Sequence, residues 1–106
     1  MNNNFGITKK SWTLMIEAIT SFSEIEKVLI FGSRAMGNYK PGSDIDLAVF
    51  GESVTYETVA RLHGKLNEQL PIPYFVDVVN FKTIELEGLK QHILEEGKEI
   101  FSKVKM

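Results

Sequence analysis

The sequence contains no cysteine among its 106 residues, which excludes disulfide bonds and thiolate metal sites. It also lacks an apolar run long enough to cross a bilayer, and no signal peptide is visible. From these absences we expect a cytoplasmic protein that does not enter the membrane.

An excess of positive charge is missing as well. Twelve basic and fourteen acidic residues give a net charge of −2, so the chain lacks the basic surface that sequence-independent nucleic-acid binding requires. This balance does not exclude a nucleotide whose charge is offset by metal. The length predicts one domain over residues 1–106 with a single modest core.

Apolar residues at three- and four-residue spacing predict helices, and short apolar runs bounded by glycine or proline predict strands. The predicted helical segments are 8–22, 33–36, 55–70 and 83–96. The predicted strands are 27–31, 44–50, 74–81 and a short closing strand at 98–101. Because side chains alternate along a strand, Ile45 and Leu47 are expected on one face, and Asp44 and Asp46 on the other.

Residues 32–47 read Gly-Ser-Arg-Ala-Met-Gly-Asn-Tyr-Lys-Pro-Gly-Ser-Asp-Ile-Asp-Leu, between two apolar strands. Gly32 lets a phosphate approach the backbone closely, and amides at the start of a helical turn favour an anion. The Ser33 hydroxyl adds a donor, while Arg34 either helps to bind phosphate or points to solvent. We therefore predict a phosphate site at Gly32, Ser33 and Arg34. The alternative is that Gly32 merely ends a strand.

Three aspartates lie in or beside apolar strands: Asp44 and Asp46 in the second, and Asp77 in the third. A carboxylate in such a place is costly unless it is paired or binds a cation, and these strands offer no neighbouring Lys or Arg for Asp44 and Asp46. Oxygen ligands suit Mg²⁺ or Mn²⁺. Two carboxylates about 6–7 Å apart along one strand can span a pair of ions. The alternative is that Asp44 ends a turn while Asp46 and Asp77 are exposed edge residues.

The two histidines are predicted to have no part in a site. His63 is expected to be a satisfied helix residue, and His92 a solvated one, because neither has a second metal ligand at a suitable spacing. In the last helix Leu86 is expected to face inward with its apolar neighbours, and Gly97 to form a left-handed cap at the end.

The pattern Gly32-Ser33, ten residues, Asp44-x-Asp46 and a later Asp77 resembles the nucleotidyltransferase superfamily related to DNA polymerase β. It is most similar to the minimal nucleotidyltransferases, small prokaryotic proteins usually encoded beside a HEPN-domain protein. The resemblance implies an α+β fold with a small mixed β-sheet and flanking helices. Met36 departs from the pattern, since many relatives carry a basic residue there.

The resemblance also implies a reaction. A nucleoside monophosphate would pass from a nucleoside triphosphate to a hydroxyl, with Ser33 contacting the triphosphate and Gly32 allowing its approach. Asp44 and Asp46 would hold two Mg²⁺ ions, with Mn²⁺ as a substitute. Asp77 would bind the catalytic ion and activate the acceptor.

In the resembling pairs the transferase is the antitoxin of a HEPN ribonuclease toxin and can adenylylate a toxin tyrosine. ATP is then the expected donor, and a hydroxyl of the HEPN protein the acceptor. An alternative is a catalytically weak module that neutralises its HEPN partner by complex formation. Nucleotide addition to RNA is disfavoured by the short, acidic chain. The sequence leaves open whether the chain also forms a homo-oligomer.

Overall fold

The computed structural model of the protein describes residues 4–103. Its α-helices are α1 (Lys9–Thr20), α2 (Ser33–Met36), α3 (Tyr56–Gly64) and α4 (Glu87–Glu96). Its strands are β1 (Lys27–Phe31), β2 (Ile45–Phe50), β3 (Val76–Asn80) and β4 (Lys98–Ser102). None of the described helices has the length and apolar character needed to cross a membrane.

The four strands form one sheet in the order β3-β2-β1-β4. Strand β1 pairs antiparallel with β2 and β4, whereas β2 and β3 run parallel. The predicted α+β class with a small mixed sheet is therefore confirmed. In this register Asp46 lies between Phe31 on β1 and Asp77 on β3.

The two faces of the sheet have different coverings. On one face Leu47 and Val78 belong to the larger core, to which α1 contributes Met15 and α3 contributes Leu62. On the other face a smaller cluster joins four residues of β1, β2 and α4: Leu29, Phe31, Ala48 and Ile93. The predicted alternation along β2 is thus confirmed, and its aspartate Asp46 lies on the α4 side.

Side-chain hydrogen bonds define the start of α1 and connect the turn after α3 to β3. The Thr8 hydroxyl accepts from the Ser11 amide at 3.2 Å and caps α1. Helix α3 continues into a π-helical turn at Lys65–Gln69. There the Asn67 side chain donates to the Val76 carbonyl and accepts from the Val76 amide, both at 2.8 Å. This pair of bonds anchors the start of β3 one residue before Asp77.

The predicted helix over 83–96 is wrong in its first turn, because α4 begins only at Glu87. Asn80 ends β3 by accepting from the Lys82 amide at 3.2 Å, and residues Phe81–Thr83 form a 3₁₀ turn. Leu86 then has an extended backbone and is 71% exposed, so its predicted inward orientation is also wrong.

Gly97 does not form the predicted left-handed cap, since its backbone is extended with φ −67° and ψ 149°. A Cβ at this position would collide with the Ile93 carbonyl oxygen and lie 3.2 Å from Leu29 Cδ1. Glycine therefore avoids a clash with the last turn of α4 and leaves room for the Leu29 side chain of β1.

Candidate functional site

The turn after β1 brings the predicted phosphate-binding residues against the predicted metal ligands. Gly32 has φ 78° and ψ −155°, a conformation that residues with side chains rarely adopt. A Cβ on Gly32 would lie only 2.5 Å from Asp46 Oδ2. Ser33 follows as the first residue of α2 and is half-buried. The structure therefore places Gly32, Ser33 and Asp46 in one location.

All three aspartates of the chain gather beside this turn. Asp46 and Asp77 are register partners on the parallel strands β2 and β3, and neighbouring strands lie about 4.8 Å apart. Asp44 is exposed, directly before β2. Burial raises the pKa of Asp46, and the charges of Asp77 and Asp44 raise it further. The three carboxylates therefore form one site of concentrated negative charge.

The alternative that Asp46 is an exposed edge residue is wrong, because β2 is an inner strand and Asp46 is half-buried. Asp77 lies on the edge strand β3 but is also half-buried. Among residues 4–103 the one ion pair joins Lys90 to Glu87, so no lysine or arginine there neutralises the aspartates.

The donor chemistry of this site fits a hard divalent cation, since carboxylate oxygens are its preferred protein ligands. Within the described part of the chain, however, no group of three Asp, Glu or His side chains is arranged to hold an ion by itself. Mg²⁺ typically takes one or two carboxylates and completes its coordination with water and substrate phosphates. Asp44, Asp46 and Asp77 can therefore supply part of a coordination shell that a triphosphate would complete.

The structure rejects one of the two alternatives for Arg34, and its predicted contact with phosphate stays a prediction. The side chain is 2% exposed, so it does not point to solvent. Its guanidinium donates to the Phe5 carbonyl at 2.9 Å and twice to the Ser43 carbonyl, at 2.8 and 3.1 Å. The rings of Tyr39 and Tyr74 flank it at 5.0 and 4.8 Å. These contacts fasten the loop before Asp44 and do not support Arg34 as a phosphate ligand.

His92 is the site residue that sequence reasoning missed. Its Nε2 accepts a hydrogen bond from the Gly32 amide at 3.2 Å, and its ring meets Phe31 edge-to-face at 6.0 Å. The predicted solvated position is therefore wrong, and the only signal in the sequence was the neighbouring inward-facing Ile93.

A separate cavity of about 660 Å³ opens at the far end of β3. Its lining is mostly apolar and includes Val59, Val79, Ile84 and Leu89. None of the three aspartates lines it, so the acidic site is not part of this cavity.

Comparison with known families identifies one match. The family model described as "Polymerase beta, Nucleotidyltransferase" matches residues 15–105, a span that contains every predicted site residue. No curated protein sequence matches the chain significantly.

Several solved structures share the fold. A toxin–antitoxin crystal structure with AMP-PNP superimposes with a TM-score of 0.71 at 23% identity, covering 87% of this chain and 73% of that chain. A tri-AMPylated HEPN toxin from Shewanella oneidensis in complex with an MNT antitoxin gives a TM-score of 0.67 at 21% identity, with coverages of 90% and 72%. The MntA–HepT toxin–antitoxin structure also gives 0.67, at 20% identity, with coverages of 91% and 74%. At these identities the likeness establishes the common fold.

Proposed function

The chain belongs to the polymerase beta nucleotidyltransferase family, and from this premise we propose that it transfers AMP from ATP to a hydroxyl of a partner protein. We propose further that the partner is a HEPN-domain toxin and that this chain is its antitoxin. Structures of the same fold are described as a toxin–antitoxin with AMP-PNP and as an AMPylated HEPN toxin with its MNT antitoxin. A cytoplasmic location remains a prediction from the sequence.

The observation that carries the proposal is the contact between the Gly32 turn and Asp46, with Asp77 in register on the next strand. In this arrangement the proposed phosphate donors would lie beside carboxylates that could share the charge of a metal–triphosphate complex. The Ser33 hydroxyl and amide would bind the phosphates, and the absence of a Cβ on Gly32 leaves room for Asp46.

Members of this family generally use divalent metal ions. We assign Asp44, Asp46 and Asp77 as their ligands, with two Mg²⁺ ions expected and Mn²⁺ as a substitute. When bound, the ions would neutralise phosphate charge and polarise the phosphoryl group under attack.

In the proposed transfer the acceptor oxygen forms a bond to the α-phosphorus of ATP. The bond from that phosphorus to the bridging oxygen breaks, and pyrophosphate leaves. The acceptor proton passes towards the carboxylate of Asp77, which faces the same side of the sheet as Asp46. Positioning and charge neutralisation supply most of the rate in phosphoryl transfer, so the carboxylates are the residues whose loss matters most.

The test uses ATP labelled at the α-phosphate, Mg²⁺ and the product of the adjacent gene, which the proposal expects to be a HEPN-domain protein. The variant is Asp44→Asn/Asp46→Asn. Glu57→Gln is the matched control, because it removes a charge from an exposed position on α3 without approaching the site. Label on the HEPN protein with wild type and Glu57→Gln, but not with the double variant, is the expected result.

The same experiment addresses the alternative function. A stable complex that acquires no label, and equal rescue from toxicity by wild type and the double variant, would contradict transfer and favour neutralisation by complex formation. The three unneutralised carboxylates argue against that alternative, because occlusion alone does not require metal ligands.

A further inference from the structure

We propose that His92 is a positioning residue for nucleotide binding. Its Nε2 accepts a hydrogen bond from the Gly32 amide nitrogen, 3.2 Å away, and so holds the Gly32–Ser33 turn in place. The two residues lie 60 positions apart in the chain. The inference rests on the proposed function, because the nucleotide concerned is the same one.

The Gly32 amide requires a partner from outside the sheet. Pairing of β1 with β2 ends at Phe31 opposite Asp46, and pairing with β4 ends at Ile30 opposite Lys98. The next amide, that of Gly32, therefore lies beyond both ladders. A sheltered backbone N–H is normally satisfied by some acceptor, and the one it meets is an imidazole nitrogen on α4.

Control of this one peptide group matters because both halves of the site depend on it. The Gly32 backbone leads directly into Ser33, whose hydroxyl and amide are the proposed phosphate donors. Its missing Cβ leaves the space beside Asp46 Oδ2. Glycine has the widest backbone freedom of any residue, so the turn needs an outside restraint to stay in one geometry. A preorganised turn loses less conformational entropy when the nucleotide binds.

His92 is itself held firmly enough to act as that restraint. Its ring packs edge-to-face on Phe31, and the next residue, Ile93, is fully buried in the smaller cluster. For Nε2 to accept a hydrogen bond the ring must be neutral with its proton on Nδ1. The packing of α4 thus fixes the position of the Gly32–Ser33 turn through the single hydrogen bond to His92 Nε2.

The chain provides a closely matched set of variants. His92→Phe keeps a ring against Phe31 and removes the acceptor, whereas His92→Gln restores an acceptor on a flexible side chain. His63→Phe is the control, because His63 is also a half-buried helix residue in edge-to-face contact with a phenylalanine, Phe75, at 5.5 Å.

The first measurement is calorimetric titration of each full-length variant with ATP in excess Mg²⁺. We expect His92→Phe to weaken ATP binding roughly tenfold, His92→Gln to stay within about threefold of wild type, and His63→Phe to bind as wild type does. In the transfer assay, the KM for ATP should rise in His92→Phe while kcat changes little. Unchanged affinity with a fall in kcat and in melting temperature would overturn the proposal and make His92 a packing residue only.

The second measurement needs neither nucleotide nor metal. Amide hydrogen exchange of Gly32 should be slow in wild type and His92→Gln and fast in His92→Phe; equal exchange in all three would overturn the proposal. If wild type binds no ATP, the proposed function fails and the nucleotide role of His92 fails with it. If wild type and His92→Phe bind ATP equally, only the role of His92 fails.

Discussion

At the level of single residues, the contact between Gly32 and Asp46 makes the sharpest prediction. In Gly32→Ala the new Cβ would need the position 2.5 Å from Asp46 Oδ2, at a backbone φ of 78°. We expect a loss of about 1–3 kcal/mol in the free energy of unfolding from backbone strain. Displacing the carboxylate by about 1 Å should lower transfer roughly 100-fold or more. Thermal unfolding and the labelled-ATP assay measure the two effects separately.

Gly37→Ala is the matched control for that substitution. Gly37 has φ 85°, so alanine is strained there too, but nothing lies within 4 Å of its Cβ position. It should lose about 1–2 kcal/mol of stability while transfer stays within a few-fold of wild type. Equal loss of transfer in both variants would show that loop strain matters and that the position of Asp46 does not.

Most site residues whose proximity the sequence predicts are close to one another along the chain, whereas the residues whose contacts it does not predict have distant partners. One contiguous stretch of the sequence contains Gly32, Ser33, Asp44 and Asp46, and its spacing predicts phosphate and metal binding. The structure brings this stretch together with Asp77. Their assignment as ligands remains a prediction.

The solvated position predicted for His92 is wrong, and the burial of Arg34 was not predicted, because each side chain has a partner that is distant in the sequence. His92 bonds to a residue 60 positions away, and Arg34 to one 29 positions away. Local pattern gives no information on such contacts, because tertiary packing alone determines them.

At the level of helices and strands, the alternation of side chains along β2 and β3 correctly predicts that Asp46 and Asp77 lie on the face of the sheet away from the larger core. The parallel pairing of these strands, which puts Asp46 beside Asp77, is not encoded in either strand alone. The start of α4 was missed because an apolar spacing of three persists when Leu86 lies just outside the helix.

The prediction for helices and strands concerns Arg34 in α2, whose side chain links this helix to two other segments of the chain. In Arg34→Lys a single ammonium replaces a fork that bridges the Phe5 and Ser43 carbonyls. We expect the free energy of unfolding to fall by roughly 2–4 kcal/mol, because buried acceptors lose their donors. The melting temperature, measured without nucleotide, should fall by roughly 10 °C or more.

Lys40→Gln is the control for Arg34→Lys, since Lys40 is an exposed cation in the same loop. It should melt close to wild type. If Arg34→Lys also melted at the wild-type temperature and lost only ATP affinity, the result would contradict this expectation and support the prediction that Arg34 binds phosphate.

At the level of the whole molecule, a net charge of −2 conceals an uneven distribution, because all three aspartates share one site. Burial and the neighbouring carboxylates raise the pKa of Asp46 above its ordinary value. The ionised carboxylate therefore destabilises the metal-free fold at neutral pH, and this penalty disappears as the pH falls through the raised pKa towards the ordinary one.

Asp46→Asn should accordingly be more stable than wild type at neutral pH in the presence of a chelator. The difference should shrink as the pH is lowered, because wild type then protonates Asp46. Chemical denaturation of both proteins over a pH series measures it. A variant that is less stable than wild type at neutral pH would mean that Asp46 makes a stabilising contact which outweighs the repulsion.

Divalent metal should reverse the same repulsion, because an ion that binds the folded site and not the unfolded chain stabilises the fold by mass action. At ten times its dissociation constant, Mg²⁺ should add about 1.4 kcal/mol, or roughly 5–10 °C in melting temperature for a domain of this size. Asp44→Asn/Asp46→Asn should lose this increment while Glu57→Gln keeps it, at constant ionic strength. An equal increment in all three proteins would place the bound ion away from Asp44 and Asp46, since only the double variant lacks the charges of these two residues.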